Sequence, residues 1–146
     1  MNQILEPTKE EVNKILKLFE KRSFEELNIT LEEIVNRYPR GSTAWLFLGM
    51  YLGQINRLDE AEKALNKSLS INPNYGEAIR LLADILRRKG KVIDSIDYGK
   101  KAIKILPKYA AAYDTLGTCY ASNKNYKNAK EMFYKALQLD ENPNKL

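Results

Sequence analysis

Arg80, Asp84, Arg87 and Arg88 follow one another at spacings of four, three and one, so a helix would carry them along one stripe. Three guanidinium groups beside one carboxylate have the chemistry of anion recognition, because arginine offers paired N–H donors to carboxylate or phosphate. The same spacing also makes a solvated ladder of ion pairs, and both readings stand. Leu46 and Met50 are an apolar pair one helical turn apart that packing within their own segment does not obviously need. They read either as an exposed apolar floor or as core. Bond-making chemistry has far less to work with. Cys119 is the only cysteine and the chain holds no histidine. A thiol nucleophile has no imidazole partner here, and His-based zinc sites are excluded. Cys119 therefore reads as a small buried hydrophobe. No catalytic residue, metal ligand or cofactor is expected.

Bulk properties agree with a folded binding protein. A hydrophobic fraction of 44% over 146 residues is enough for a continuous core. The net charge of +5 is concentrated over residues 76–109, where nine basic residues face four acidic ones. That falls short of a nucleic-acid-binding composition, and the further lysines there (Lys89, Lys91, Lys100, Lys101, Lys104, Lys108) read as wetted surface. The first residues lack a basic and an apolar region of the kind that opens a signal peptide, and no apolar run is long enough to span a bilayer. A soluble, cytoplasmic protein is the expectation.

The elements that would position these residues are copies of one unit. Trp45-x-x-Leu48-Gly49-x-x-Leu52 returns 34 residues later as Ile79-x-x-Leu82-Ala83-x-x-Leu86, then again as Tyr113-x-x-Leu116-Gly117-x-x-Tyr120. The spacing within each copy is helical. Small residues recur at Ala61, Ser95 and Ala129 and at Ser68, Ala102 and Ala136, where two antiparallel helices need to approach closely. Pro73 and Pro107 share one position and end the second helix of a pair. Asn56 and Gly90 share another, suited to a left-handed residue closing the first helix. Residues 1–41 look like a degenerate copy: Leu27, Leu31, Ile34 and Pro39 keep the phase, while Val12-x-x-Ile15-Leu16-x-x-Phe19 sits one residue out of it. The turn between its two helices should thus be one residue shorter. Thr8-x-x-Glu11 and Ser23-x-x-Glu26 read as capping boxes opening them, and larger Leu and Ile in place of small residues predict a splayed pair.

These residues resemble the tetratricopeptide repeat, a helix–turn–helix unit of 34 residues. Two positions depart from its preferred pattern, Gly99 where an aromatic is usual and Glu141 where proline is usual. Gly99 is expected to loosen its unit, and Pro143 to supply a late stop. The resemblance implies an all-α, right-handed superhelical α-solenoid of about eight helices. It forms a single domain over residues 1–146, with copies near 8–41 (degenerate), 42–75, 76–109 and 110–143.

Members of this family line a concave groove with the first helix of each copy. Carried over position by position, the groove-facing residues that could grip a ligand are Asn13, Lys17, Leu46, Phe47, Met50, Arg80, Asp84, Arg87, Arg88, Asp114 and Thr118. The resemblance implies a non-catalytic scaffold module for protein–protein interaction, holding a protein or peptide segment with acidic and apolar groups. A second reading makes the chain the N-terminal array, or a stand-alone relative, of a repeat-fused glycosyl- or sulfo-transferase. The family's two-carboxylate clamp for chaperone tails is not preserved: its places hold Leu46, Met50, Leu81, Ala111 and Thr115, or in the other frame Asn13, Lys17, Phe47, Glu77 and Leu81. Nucleic acid and membrane are not expected partners. On the last helix, Met132, Tyr134, Leu137 and Leu139 form an apolar edge suited to weak self-association.

Overall fold

The computed structural model describes residues 5–140, and these fold into eight α-helices with no strand among them. Turn chemistry sets their lengths. α1 (Lys9–Lys21) and α2 (Phe24–Arg37) form the first pair, α3 (Ser42–Gln54) and α4 (Leu58–Ile71) the second, α5 (Gly76–Arg88) and α6 (Val92–Ile105) the third, α7 (Ala110–Ser122) and α8 (Tyr126–Asp140) the fourth. Each first helix closes on a residue with positive φ: Arg22 at 55°, Asn56 at 62°, Gly90 at 85° and Lys124 at 61°. The amide just beyond it donates back to the helix, as Arg57 to Leu52, Lys91 to Leu86 and Asn125 to Tyr120. This is the left-handed cap that satisfies orphan carbonyls. The first such turn is one residue shorter than the others, as the phase of the sequence requires.

The chain divides into two compact units between Pro73 and Asn74. In the first unit α3 and α4 pack tightly, and α2 packs on α3. Their approach is set by small residues: Ala61 and Ser68 are fully buried, and the Ser68 hydroxyl donates to the Ser42 carbonyl at 2.8 Å. A β-carbon on Gly49 would stand 2.7 Å from Leu65, so the glycine is what admits that leucine. α1 and α2 touch far less extensively than α3 and α4, in keeping with the bulkier residues between them. Trp45 Nε1 donates to the carbonyl of Pro39 at 3.0 Å, tying the proline turn to the helix that follows.

The second unit repeats the scheme. Ser95, Ala102, Ala129 and Ala136 are buried between paired helices, and Tyr113 holds the Pro107 carbonyl at 2.9 Å as Trp45 holds Pro39. Its core gathers Ala83, Ile96, Leu116, Cys119, Tyr120 and Ala129.

Two expectations are corrected. Gly99 does not loosen its unit: the missing side chain admits Leu116 of α7, whose Cδ1 would lie 2.9 Å from a β-carbon there. Ser23 makes no side-chain cap, because its ψ of 71°, against 161° at Thr8, turns the hydroxyl away from the third amide. The Thr8 box is complete, with Thr8 N–H to Glu11 at 3.0 Å and Glu11 N–H to Thr8 at 3.2 Å. Glu141 and Pro143 lie outside the described residues.

Glu11 also accepts from the Tyr38 hydroxyl and from Arg37 Nη1, at 2.5 and 2.6 Å, and so ties the start of α1 to the end of α2. Partial burial opposes its charge, but the hydrogen bonds from Tyr38, Thr8 and Arg37 outweigh it and lower its pKa from 4.5 to about 2. A depressed folded pKa means stability that is complete above pH 4.5 and lost as pH falls toward 2. Urea unfolding of Glu11→Gln against the parent should show a constant deficit at neutral pH that closes over that window. A second measurement tests Gly99. Gly99→Phe, which restores the family's usual aromatic, should destabilise by about 1–3 kcal/mol through overpacking. Leu116→Ala in the same chain should recover part of the loss.

Candidate functional site

The ionic stripe of α5 is real, but its members do different things. Arg80 is a structural tie. Its Nε and Nη2 donate to Glu77, its Nη1 reaches Thr115 Oγ1 on α7 at 3.2 Å, and its guanidinium stands 6.0 Å over the Tyr109 ring. The side chain is only 18% exposed. Burial opposes its charge, but Glu77 and the more distant Asp84 outweigh burial and hold it above the usual arginine range. The result is a clasp that sets two first helices, α5 and α7, side by side in the second unit.

Asp84 is shared. Arg87 Nη2 donates to one carboxylate oxygen at 2.8 Å, and Arg88 Nη1 lies 3.6 Å from the other. Two guanidinium groups thus lean on one carboxylate, and the buried Nε of Arg87 has no hydrogen-bond partner. On α7, Asp114 is exposed and Thr118 is partly buried, its hydroxyl donating to the Asp114 carbonyl at 2.9 Å. Cys119 faces inward behind this stripe. Burial pushes its thiol pKa up, and the Ser95 hydrogen bond and the Arg87 charge only partly offset that. A thiol so placed is a core group.

In the first unit the predicted residues separate by burial. Leu46 and Phe47 are 4% and 6% exposed, and the Phe47 ring sits 6.2 Å from that of Phe19 on α1. Both are core. Met50, one turn on, remains partly exposed and is the member of that group able to meet a ligand. Asn13 and Lys17 are exposed on α1 beside a shallow depression that Lys14, Lys21 and Glu26 also line.

One feature here has no sequence signal. Glu6 lies beyond the start of α1, yet its carboxylate accepts from the Ser42 hydroxyl at 3.2 Å and the Thr43 amide at 3.1 Å. It caps α3, whose own N-cap, Gly41, has no side chain to do so. A separation of 36 residues puts such a cap beyond any local motif.

The apolar edge on α8 also separates. Met132 packs against the core of the second unit and Leu139 is half-buried, whereas Tyr134 and Leu137 are open to solvent. Tyr126 and Phe133, not foreseen as part of this edge, are exposed beside them. Among the described residues no helix is long and apolar enough to cross a membrane.

Known proteins share this architecture. The family model described as tetratricopeptide repeat matches residues 42–75 and 110–143. A small glutamine-rich tetratricopeptide repeat-containing protein 2 from Mycosarcoma maydis is 32% identical over 80 residues, covering 55% of this chain and 23% of that protein. The mitochondrial import receptor subunit TOM70 of Mus musculus is 27% identical over 109 residues, 74% of this chain and 18% of its own. The chain thus spans less than a quarter of the length of these relatives. Among solved structures, MamA superposes with a TM-score of 0.72 at 24% identity, over 89% of this chain and 78% of that one. The Cut9-Hcn1 hetero-tetramer of APC/C gives 0.78 at 23% identity, over 87% and 24%. These likenesses are of fold.

Removing the clasp should cost stability. Arg80→Ala leaves Glu77, itself only 22% exposed, without its cationic partner, and should lower the unfolding free energy by roughly 1–2 kcal/mol. Arg80→Lys should recover little, since an ammonium cannot reach Glu77 and Thr115 together. Chemical denaturation of the two variants checks this.

Proposed function

Because the chain belongs to the tetratricopeptide-repeat family, we propose that it is a non-catalytic, cytoplasmic scaffold module that holds a protein or peptide segment against its first-of-pair helices. We take residues 1–146 as one domain built of the four copies, with α1, α3, α5 and α7 as the binding elements. The observation that carries this reading is the Asp84 cluster. Two partly exposed guanidinium groups share one carboxylate. A partner's carboxylate or phosphate would add charge-assisted hydrogen bonds to the solvent-facing part of these two side chains, 24% exposed at Arg87 and 29% at Arg88. Within the first unit, Met50 is the partly exposed apolar residue that could meet a partner. Helices already held by the Arg80 clasp and by buried small residues need little ordering on binding, which favours affinity from a modest surface. Relatives that are a receptor subunit and a subunit of the anaphase-promoting complex are consistent with a protein-contacting role.

Peptides selected by display against the immobilised chain test the reading. Their affinities are then measured for the parent, for Met50→Glu and for Arg87→Ala/Arg88→Ala. The expected outcome is a Kd raised about tenfold, near 1.4 kcal/mol, in at least one variant whose unfolding midpoint is unchanged. Selected peptides that bind both variants as they bind the parent would remove these faces from consideration.

A further inference from the structure

Tyr126, Lys130, Phe133, Tyr134 and Leu137 recur along α8 at steps of four, three, one and three, which makes a single stripe. With Ala121 and Ala129 they line an open depression of about 420 Å³ whose surface is almost wholly apolar. Lys130 stands on its wall, and Lys127 lies three residues before Lys130 on the same helix. One pair earlier in the same unit, helix α6 is treated differently. There α7 lies on α6, Leu116 filling the space over Gly99 and Ile96 joining the core. The α8 stripe is therefore of the kind that another helix covers.

A surface with the opposite character exists on the same chain. Ile29 of α2 is 59% exposed. Glu25, Glu26, Glu32 and Glu33 lie three and four residues to either side of it, all of them exposed, and α2 carries one arginine against these four glutamates. Glu26 shares the α1 depression with Lys14, Lys17 and Lys21, which leaves Glu25, Glu32 and Glu33 as the acidic surround of an apolar knob. The two faces are complementary: an apolar hollow rimmed by lysine, and an apolar projection rimmed by glutamate. Each is ill-suited to its own kind, since like charges would meet across either symmetric contact.

We propose that α8 of one copy docks on α2 of a second copy. Ile29 enters the depression beside Phe133, Tyr134 and Leu137, and Glu25, Glu32 and Glu33 meet Lys127 and Lys130. Donor and acceptor surfaces differ, so the contact is head-to-tail and can add further copies. One apolar knob and a screened charged rim make it weak and salt-sensitive. Ala121 of α7 apart, both faces belong to second-of-pair helices and share no residue with the Asp84 cluster or Met50, so the proposal stands independently of the ligand-binding reading.

The test is light scattering of the full chain over about ten to several hundred micromolar, at low and high salt. The parent's mass should rise with concentration, and less so at high salt. Ile29→Lys and Leu137→Glu each alter an exposed side chain, and circular dichroism checks that both remain folded. Each alone should stay monomeric. Mixed in equal amounts they should give a one-to-one dimer and nothing larger, because the first variant keeps its α8 hollow and the second keeps its α2 knob. Self-association that survives in Ile29→Lys would point to an α8–α8 contact and overturn the proposal. So would a mixture that remains monomeric, or a parent that is monomeric throughout.

Discussion

Everything in this fold depends on how closely two antiparallel helices can approach. The positions between paired helices hold Ala61 and Ser68, Ser95 and Ala102, Ala129 and Ala136, all buried. Gly49 and Gly117 face Leu65 and Phe133 at distances that leave no room for a β-carbon. At such separations large side chains from one helix fill the space that small ones on the other leave, and interior packing density follows. Where the small residues are missing, between α1 and α2, contact is sparse, and the tie from Glu11 to Tyr38 and Arg37 does part of the holding. Gly99 shows the same rule applied between neighbouring pairs, with Leu116 supplying the bulk.

Charge works at a second level, on helices whose places are already set. Glu77, Arg80 and Thr115 form a satisfied group with little exposure, suited to holding α5 beside α7. Asp84 with Arg87 and Arg88 is different in kind, because both guanidinium groups lean on one carboxylate of their own helix. A stripe that looks uniform in composition is thus part tie between helices and part ion-pair cluster within one helix. Cys119 behind it is made inert by burial rather than reactive by the neighbouring arginine.

The exposed apolar residues of α2 and α8 differ in their surroundings. Here those side chains come with opposite charge surroundings, glutamates about Ile29 and lysines about the α8 hollow. The distribution gives the two faces distinct chemical characters.

Much of this was written in the residues themselves. The 34-residue phase, the small residues at the helix contacts, the proline stops and the shortened first turn all depend on neighbours in sequence or on a fixed period, and a single chain displays both. Left-handed closures were legible at Asn56 and Gly90 but not at Arg22 and Lys124, where the turn overrides the residue's preference. Tertiary structure alone decided which charges are spent: that Arg80 reaches Thr115, that Glu6 caps α3, and that Leu46 and Phe47 are buried while Met50 is not. The physical reason is common to all of them. Periodicity tells which face of a helix a side chain occupies, whereas its partners and its share of solvent depend on segments that only folding brings within a few ångströms.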